Sequence, residues 1–286
     1  MRSVLTRWST RSAYRFVLRD LRPLLEMPQA ALLLDTKRFS QVIRPVPLRG
    51  PSARRIVVIA PHPDDDIFGP GGTLLHLADA GAIIRTVYVT DGTTRDPAQL
   101  RSEAVQACRA IAAEPVFLGM PLRNIPLDAA SAGKLRSAIT DFEPGAIFLP
   151  FLLDDHDDHR RVNELLQRAF PDGDLPAEVW AYQVYSTLPP NVVVDITGVA
   201  ERKRELVRLW RHASGERNWA HFVLGTNAAN CRYVPGTAEI YAETFFVVPG
   251  SEYLDLCARY FSGPAGSVYR EANYVDAAPV ASSSRS

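Results

Sequence analysis

The segment Arg55-Ile-Val-Val-Ile-Ala-Pro-His-Pro-Asp-Asp-Asp66 joins a continuous apolar run to a cluster of one histidine and three aspartates. A short β-branched run without polar alternation predicts a strand that is buried on both faces, as in a parallel sheet. The polar cluster follows this strand directly. Because open α/β sheets bind ligands at the carboxyl ends of their strands, the segment predicts a site at that edge.

A second polar cluster, His156-Asp-Asp-His159, follows another apolar run at 146–150. The two clusters contain three of the six histidines of the chain. Two unrelated solvated loops would have no reason to meet at one edge of a sheet. We therefore expect both clusters to form a single site.

Outward from these two segments, predicted strands and helices alternate along the chain. Further strands are predicted at 82–90, 115–118, 178–185, 191–196 and 239–248, and helices at 73–78, 97–113, 129–142, 160–170 and 199–212. This alternation predicts an α/β fold with a doubly wound, mostly parallel sheet. We divide the chain into an N-terminal extension and connector (1–53), a core domain (54–250) and a C-terminal extension with a disordered tail (251–286).

Arginines recur every four residues in the N-terminal extension, at Arg7, Arg11, Arg15 and Arg19, beside an apolar stripe. This pattern predicts a basic amphipathic helix. Its arginine face is either solvated, with the helix docked on its own domain, or in contact with an anionic membrane or a partner. The sequence leaves the two alternatives open.

The 286-residue chain has 32 basic and 32 acidic residues, so its charge gives no electrostatic case for nucleic-acid binding. Its three cysteines are odd in number and widely spaced, which fits a reducing compartment. No apolar run approaches the roughly 20 residues of a membrane span, and arginines interrupt every candidate for a secretory signal. We expect a cytoplasmic protein, at the cytoplasmic membrane face if the N-terminal helix binds lipid. The sequence does not indicate an oligomeric state.

Imidazoles and carboxylates are typical ligands of a metal such as zinc. Two histidines and one carboxylate leave coordination positions open, which is the catalytic rather than the structural pattern. A neighbouring carboxylate can then accept a proton from water, and a remaining histidine can stabilise an oxyanion or protonate a leaving group. An aspartate beside that histidine would fix its tautomer and raise its pKa.

The two clusters resemble the AHPDDE and HPDH motifs of the PIG-L/LmbE-like N-deacetylases. Supporting matches are Thr90-Asp91-Gly92, Arg101, Glu103, His212-Ala-Ser214 and Tyr241-Ala-Glu-Thr-Phe245. The resemblance implies a Rossmann-like, zinc-dependent enzyme that removes acetyl groups from N-acetylglucosaminyl compounds or cleaves related amides. Its partner would be a small amino-sugar conjugate.

Carried over residue by residue, the resemblance implies specific roles for both clusters. The implied metal ligands are His62, Asp65 and His159, and the implied general base is Asp64. His156 would stabilise or protonate the tetrahedral intermediate, with Asp158 orienting it.

Three further residues are candidates for substrate contacts: Asp91, Arg101 and Arg123. The segment Met120-Pro-Leu-Arg-Asn124 lies where the family often has an aspartate that contacts the sugar. An arginine there would favour an anionic substrate, although a surface arginine with no such role is the simpler interpretation.

Two other hypotheses remain. Two histidines and one carboxylate also satisfy the ligand pattern of non-haem iron oxygenases, in which case the metal is Fe²⁺ rather than Zn²⁺ or another divalent ion. The chain could also be a sugar-binding relative without catalysis. Metal analysis combined with an amine-release assay distinguishes these from a deacetylase.

Overall fold

The computed structural model describes residues 45–92, 96–210, 217–236 and 238–262. The predicted N-terminal helix, the His212-Ala-Ser214 match and the C-terminal tail lie outside these residues. The strands are β1 (Val46–Pro47), β2 (Arg55–Ala60), β3 (Ile83–Thr90), β4 (Ala113–Met120), β5 (Ala146–Pro150), β6 (Glu178–Tyr182), β7 (Val192–Asp195) and β8 (Ala242–Pro249). The helices are α1 (Asp65–Phe68), α2 (Gly71–Asp79), α3 (Pro97–Ala110), α4 (Ala129–Thr140), α5 (Asp157–Ala169), α6 (Ala200–Val207), α7 (Trp219–Ala229) and α8 (Gly250–Ser262). None of the helices within these described ranges is long and apolar enough to cross a membrane.

The strands form one sheet in the order β1-β7-β8-β6-β5-β2-β3-β4. All neighbours are parallel except that β8 runs antiparallel to both β6 and β7. The α/β fold with a mostly parallel sheet is therefore confirmed. The chain leaves β2 towards β3 on one side and returns to β5 on the other, so the strand order reverses between β2 and β5. Such a reversal opens a crevice at the carboxyl ends of the two strands.

Strand β2 is buried from both sides, as its unbroken apolar sequence predicts. Ile56, Val58 and Ala60 belong to the core on one face of the sheet, and Val57 and Ile59 belong to the core on the other. Helices α2, α3, α6 and α7 contribute side chains to the first core, and α4, α5 and α8 contribute to the second. This strand pairs with β3 over Arg55–Ala60 and with β5 over Ile56–Val58, and pairing on both sides fixes the position of the cluster that follows it.

A buried ion pair fixes the chain just beyond the first cluster. Glu243 on β8 accepts hydrogen bonds from the backbone amides of Gly72 and Thr73 at 2.7 and 2.8 Å, which satisfies the start of α2. Lys203 on α6 lies 2.7 Å from Glu243 and also donates to the Gly69 carbonyl at 2.9 Å. Because both charges are buried and hydrogen-bonded, this ion pair joins α2 rigidly to β8 and α6.

Candidate active site

The first cluster lies in a tight loop between β2 and α1. The backbone amide of His62 donates to the Asp65 carboxylate at 2.9 Å, which closes the loop on itself. From the neighbouring strand β3, the Thr90 amide and hydroxyl donate to the Pro61 carbonyl at 3.0 and 2.8 Å. Local hydrogen bonds thus hold the cluster in place from two directions.

The second cluster forms the start of α5, at the end of the neighbouring strand β5. His156 is the N-cap of this helix, and its Nδ1 accepts a hydrogen bond from the backbone amide of Asp158 at 3.1 Å. Because β2 and β5 are adjacent in the sheet, this helix start faces the loop that carries His62. The prediction that both clusters share one edge is confirmed.

Three nitrogen and oxygen atoms converge between the clusters. Asp65 Oδ2 lies 3.0 Å from His62 Nδ1 and 3.2 Å from His159 Nε2. The outer nitrogens of the two rings each face another carboxylate: His62 Nε2 lies 3.0 Å from Asp158 Oδ2, and His159 Nδ1 lies 2.9 Å from Asp154 Oδ1. Each ring is thus held between the shared Asp65 and an outer carboxylate.

This arrangement fits a divalent metal ion. A histidine that binds a metal through one nitrogen commonly donates the other N–H to a carboxylate, which fixes the ring and its tautomer. Both His62 and His159 have such an outer partner. Asp65 is fully buried, and its Oδ1 accepts no hydrogen bond from the described residues, so the carboxylate retains an unused acceptor in a place where that is costly. The donor set of two imidazoles and one carboxylate is one that zinc and ferrous iron both accept.

Charges within the cluster shift the pKa values of its members strongly. Burial alone would lower the pKa of His62, but the Asp65 and Asp158 carboxylates raise it to about 9. Burial would also lower the pKa of His159, but the Asp65 and Asp154 carboxylates raise it to about 10. The two rings in turn hold the pKa of Asp65 far below its usual range despite its burial. A cation at this point would replace the two ring protons, as expected for a metal site.

Asp64 lies beside the three converging atoms without joining the ion pairs. One of its carboxylate oxygens lies within 4.8 Å of ligand atoms of His62 and Asp65. No side chain or amide in the described ranges donates to this carboxylate, and the residue is only half-buried. Burial and the neighbouring Asp65 raise the pKa of Asp64 to about 7. An unpaired carboxylate with that pKa is suited to accept a proton from water near neutral pH.

The placement of Asp158 corrects one expectation. Its carboxylate faces His62 rather than His156, and it also accepts a hydrogen bond from the Arg123 backbone amide at 2.9 Å. The ring of His156 is held by the Asp158 amide instead. The pKa of His156 is also lower than expected: burial and the charged His159 and His62 lower it to about 3, and they outweigh the Asp65 and Asp158 carboxylates, which raise it.

His156 therefore has a defined chemical form. A neutral imidazole carries one N–H, and Nδ1 of this ring is used as an acceptor, so the proton lies on Nε2. That nitrogen can donate a hydrogen bond but offers no lone pair to a metal. The ring centroids of His156 and His62 are 4.6 Å apart, so this donor lies at the cluster.

The three predicted substrate contacts lie at different places. Asp91 follows β3 in a half-exposed turn, where Gly92 packs so closely on Pro63 that an added Cβ would lie 3.0 Å from its ring. Arg123 is exposed, has a left-handed φ of 57° and is joined to the cluster through its amide. Arg101 instead stacks on Phe117 of β4 at 4.1 Å, and no described contact joins it to either cluster.

Two residues at the site were not assigned roles from the sequence. Asp154 is fully buried and holds His159, and its other oxygen accepts from the Tyr185 amide at 3.0 Å. The ring of Tyr185 stacks on His159, with centroids 5.5 Å apart. Two features of the sequence could have identified them. Asp154 lies two residues before the second cluster, and Tyr185 lies just after β6, the strand next to β5.

We predict that Asp154→Asn lowers metal affinity by about 10–100-fold, because losing an outer carboxylate has this typical effect. Asparagine keeps the size and an acceptor oxygen but cannot carry the charge that holds the His159 ring. Chelator competition measures the affinity, and the melting temperature checks the fold. Asp155→Asn is a matched control, since Asp155 is the neighbouring aspartate and is exposed. Equal affinities of the Asp154→Asn protein and the unchanged protein would show that Asp154 does not support the metal.

Comparisons with known proteins agree with the fold and the motifs. Residues 57–170 match the family model PIG-L: GlcNAc-PI de-N-acetylase, which confirms the resemblance. Diacetylchitobiose deacetylase of Thermococcus kodakarensis is 26% identical over 231 residues, covering 71% of this chain and 86% of that protein.

Two solved structures share the fold at lower identity. The N,N'-diacetylchitobiose deacetylase of Pyrococcus horikoshii has a TM-score of 0.61 at 23% identity, covering 81% of this chain and 93% of its own. GalB of Pseudomonas putida, a 4-carboxy-2-hydroxymuconate hydratase, has a TM-score of 0.59 at 17% identity, covering 68% and 96%. Since a deacetylase and a hydratase share this fold, the activity of this chain has to be inferred from its own site.

Proposed function

We propose that this protein is a metal-dependent N-deacetylase that hydrolyses the acetamide of an N-acetylglucosamine-type sugar or its conjugate. One observation carries the proposal: three candidate ligand atoms, the unpaired Asp64 carboxylate and the His156 ring lie together at the carboxyl ends of β2 and β5. Amide hydrolysis requires these three functions, namely polarisation of the carbonyl, removal of a proton from water and stabilisation of an oxyanion. The relative named as a diacetylchitobiose deacetylase supports the class of substrate.

His62, Asp65 and His159 would hold the metal, with Zn²⁺ preferred and Fe²⁺ or another divalent ion compatible with the donors. Bound there, such an ion acts as a Lewis acid on the acyl carbonyl and lowers the pKa of the attacking water. Asp158 and Asp154 keep the two rings oriented through their outer nitrogens.

Asp64 accepts a proton as the oxygen of water forms its bond to the acyl carbon. His156 Nε2–H donates to the oxygen of the former carbonyl, where negative charge develops. When the carbon–nitrogen bond breaks, Asp64 returns its proton to the departing amine, which leaves acetate and a free amino sugar. Asp64 carries the proton in both directions because neutral His156 would have to become an imidazolate to donate it.

Two further residues are proposed to contact the substrate. The backbone amide of Arg123 donates to Asp158, and the residue has a left-handed conformation. This conformation costs free energy for a residue other than glycine and is often found in functional loops. The exposed guanidinium of Arg123 would favour a substrate with a phosphate or carboxylate. Asp91 would accept hydrogen bonds from sugar hydroxyls. Arg101 is retained as a weaker candidate because its guanidinium is stacked on Phe117.

The test is to measure metal content and release of amine from N,N'-diacetylchitobiose on the same preparation. We predict that His62→Ala and His159→Ala lower metal content and amine release together, because each removes one of three proposed protein ligands. His76→Ala is the matched control, since His76 is on α2 and bonds to the Asp195 carbonyl. Its metal content and activity should match those of the unchanged protein.

The contrary outcomes identify the other hypotheses. Full metal occupancy in His62→Ala or His159→Ala would reject the ligand set. Dioxygen consumption without amine release would favour an oxygenase. Sugar binding with neither reaction would favour a non-catalytic relative.

A further inference from the structure

An aromatic surface extends outward from the candidate active site. Tyr185 lies nearly parallel to the His159 ring, at an interplanar angle of 22°. The Tyr185 ring also contacts Trp219 and Phe222, with ring centroids 6.2 and 6.3 Å apart. Trp219 and Phe222 meet edge to face at 5.7 Å. We call Tyr185, Trp219 and Phe222 the aromatic wall.

The wall is built from two separate elements. Tyr185 follows the carboxyl end of β6, and Trp219 and Phe222 stand three residues apart on the first turn of α7, where that spacing places them on one face. Phe68, from the end of α1, packs against Trp219 at 5.8 Å and supports it. The wall is thus continuous with the polar site at one end and braced from within the core.

The outer part of the wall is open to solvent. Phe222 is 38% exposed, and Tyr185 and Trp219 are partly exposed. Two other large apolar side chains in the described ranges are as open, Val46 and Ile83, and they belong to β1 and to the first residue of β3. Ile83 therefore lies at the edge of the sheet opposite the site. Exposed aromatic rings that adjoin a catalytic crevice commonly bind ligand.

We propose that the aromatic wall binds a second sugar ring of the substrate, attached to the ring that carries the acetamide. This proposal rests on the proposed function. The acetamide must reach His62, Asp65 and His159. Because Tyr185 stacks on His159, the rest of the substrate would lie beside Tyr185 and the aromatic wall. A pyranose has an apolar face of C–H groups, which packs on aromatic rings, and such rings bury a large area with little loss of side-chain freedom.

The test measures binding, so that it does not depend on turnover. The metal-loaded Asp64→Asn protein is titrated calorimetrically with N-acetylglucosamine, which has one ring, and with N,N'-diacetylchitobiose, which has two. We expect tighter binding of the disaccharide. Adding Phe222→Ala should weaken disaccharide binding by about tenfold, equivalent to about 1.4 kcal/mol, and leave monosaccharide binding unchanged. Trp219→Ala should act in the same direction, and Ile83→Ala is the matched control for loss of an exposed apolar side chain.

The outcomes separate the subsite from the proposed function. Equal weakening for both sugars, or no weakening for either, would overturn the aromatic subsite while leaving the deacetylase proposal intact. The same loss from Ile83→Ala would also overturn it, because the effect would then not come from the wall. A parent protein that binds neither sugar would contradict the proposed substrate class, and the subsite with it.

Discussion

Asp64→Asn is expected to keep its metal and to lose turnover by about 10²–10⁴-fold, the usual effect of removing a general base. Asparagine has nearly the same shape but can neither accept the proton from water nor return it to the amine. Metal retention is expected because the proposed ligand atoms belong to His62, Asp65 and His159. Steady-state kinetics of amine release and metal analysis on one preparation measure both effects.

The same variant tests the acidic side of the pH–rate profile. A base works only when deprotonated, so activity should fall as the pH drops through the pKa of Asp64. Burial and Asp65 raise that pKa to about 7, against the lowering effect of the charged His62 and His159. A dication that replaces the two ring protons would keep an equal positive charge beside Asp64, so the acidic limb of the metal-loaded protein should lie near pH 7 and vanish in Asp64→Asn.

A matched control removes an equal charge from a residue with no proposed role. Asp155→Asn removes one negative charge at an exposed position directly before the second cluster, and it should leave the kinetics unchanged. Near-full activity in Asp64→Asn would show that another group accepts the proton. An equal loss in Asp155→Asn would show that net charge rather than proton transfer explains the effect.

The central strands could be predicted because short, continuous apolar runs rich in β-branched residues are typical of strands buried on both faces. Strand β2 and the helix–strand alternation after it specify a parallel sheet, and the polar cluster at each strand end marks the ligand edge. Helix α7 was missed because Gly225, Thr226 and Asn227 are weak helix formers, and packing on the core overrides that preference. Helix α8 was also missed, although Tyr253, Leu256, Cys257 and Tyr260 show helical spacing in the sequence itself.

Only part of the site chemistry could be predicted, because the sequence gives the residue types and their spacing but not their hydrogen-bond partners. Asp158 is two positions after His156, and this spacing allows either the carboxylate or the backbone amide of Asp158 to hold the ring. The helix start decides in favour of the amide, since the N-cap side chain turns back onto the first turn. Only the fold shows that the freed Asp158 carboxylate reaches His62, which is 96 residues away in the chain.

His156→Ala should therefore retain its metal while kcat falls by about 10²–10³-fold, the typical loss when an oxyanion donor is removed. Metal retention is expected because the only proton of the neutral ring lies on Nε2, which leaves that nitrogen without a lone pair for a metal. His156→Gln, whose amide can still donate a hydrogen bond, should recover part of the lost kcat. Amine-release kinetics and metal titration of both variants measure these effects.

The pH–rate curve of His156→Ala then decides whether this ring moves a proton. Burial and the charged His159 and His62 lower the pKa of His156 to about 3, and a bound dication that replaces the two ring protons would keep an equal positive charge beside this ring. The ring is thus neutral from about pH 5 to 9 and does not titrate there. The pH dependence of His156→Ala should therefore match that of the unchanged protein at a lower rate. If the unchanged protein loses activity at alkaline pH and His156→Ala does not, His156 would be the acid that protonates the amine, and loss of metal would make it a ligand.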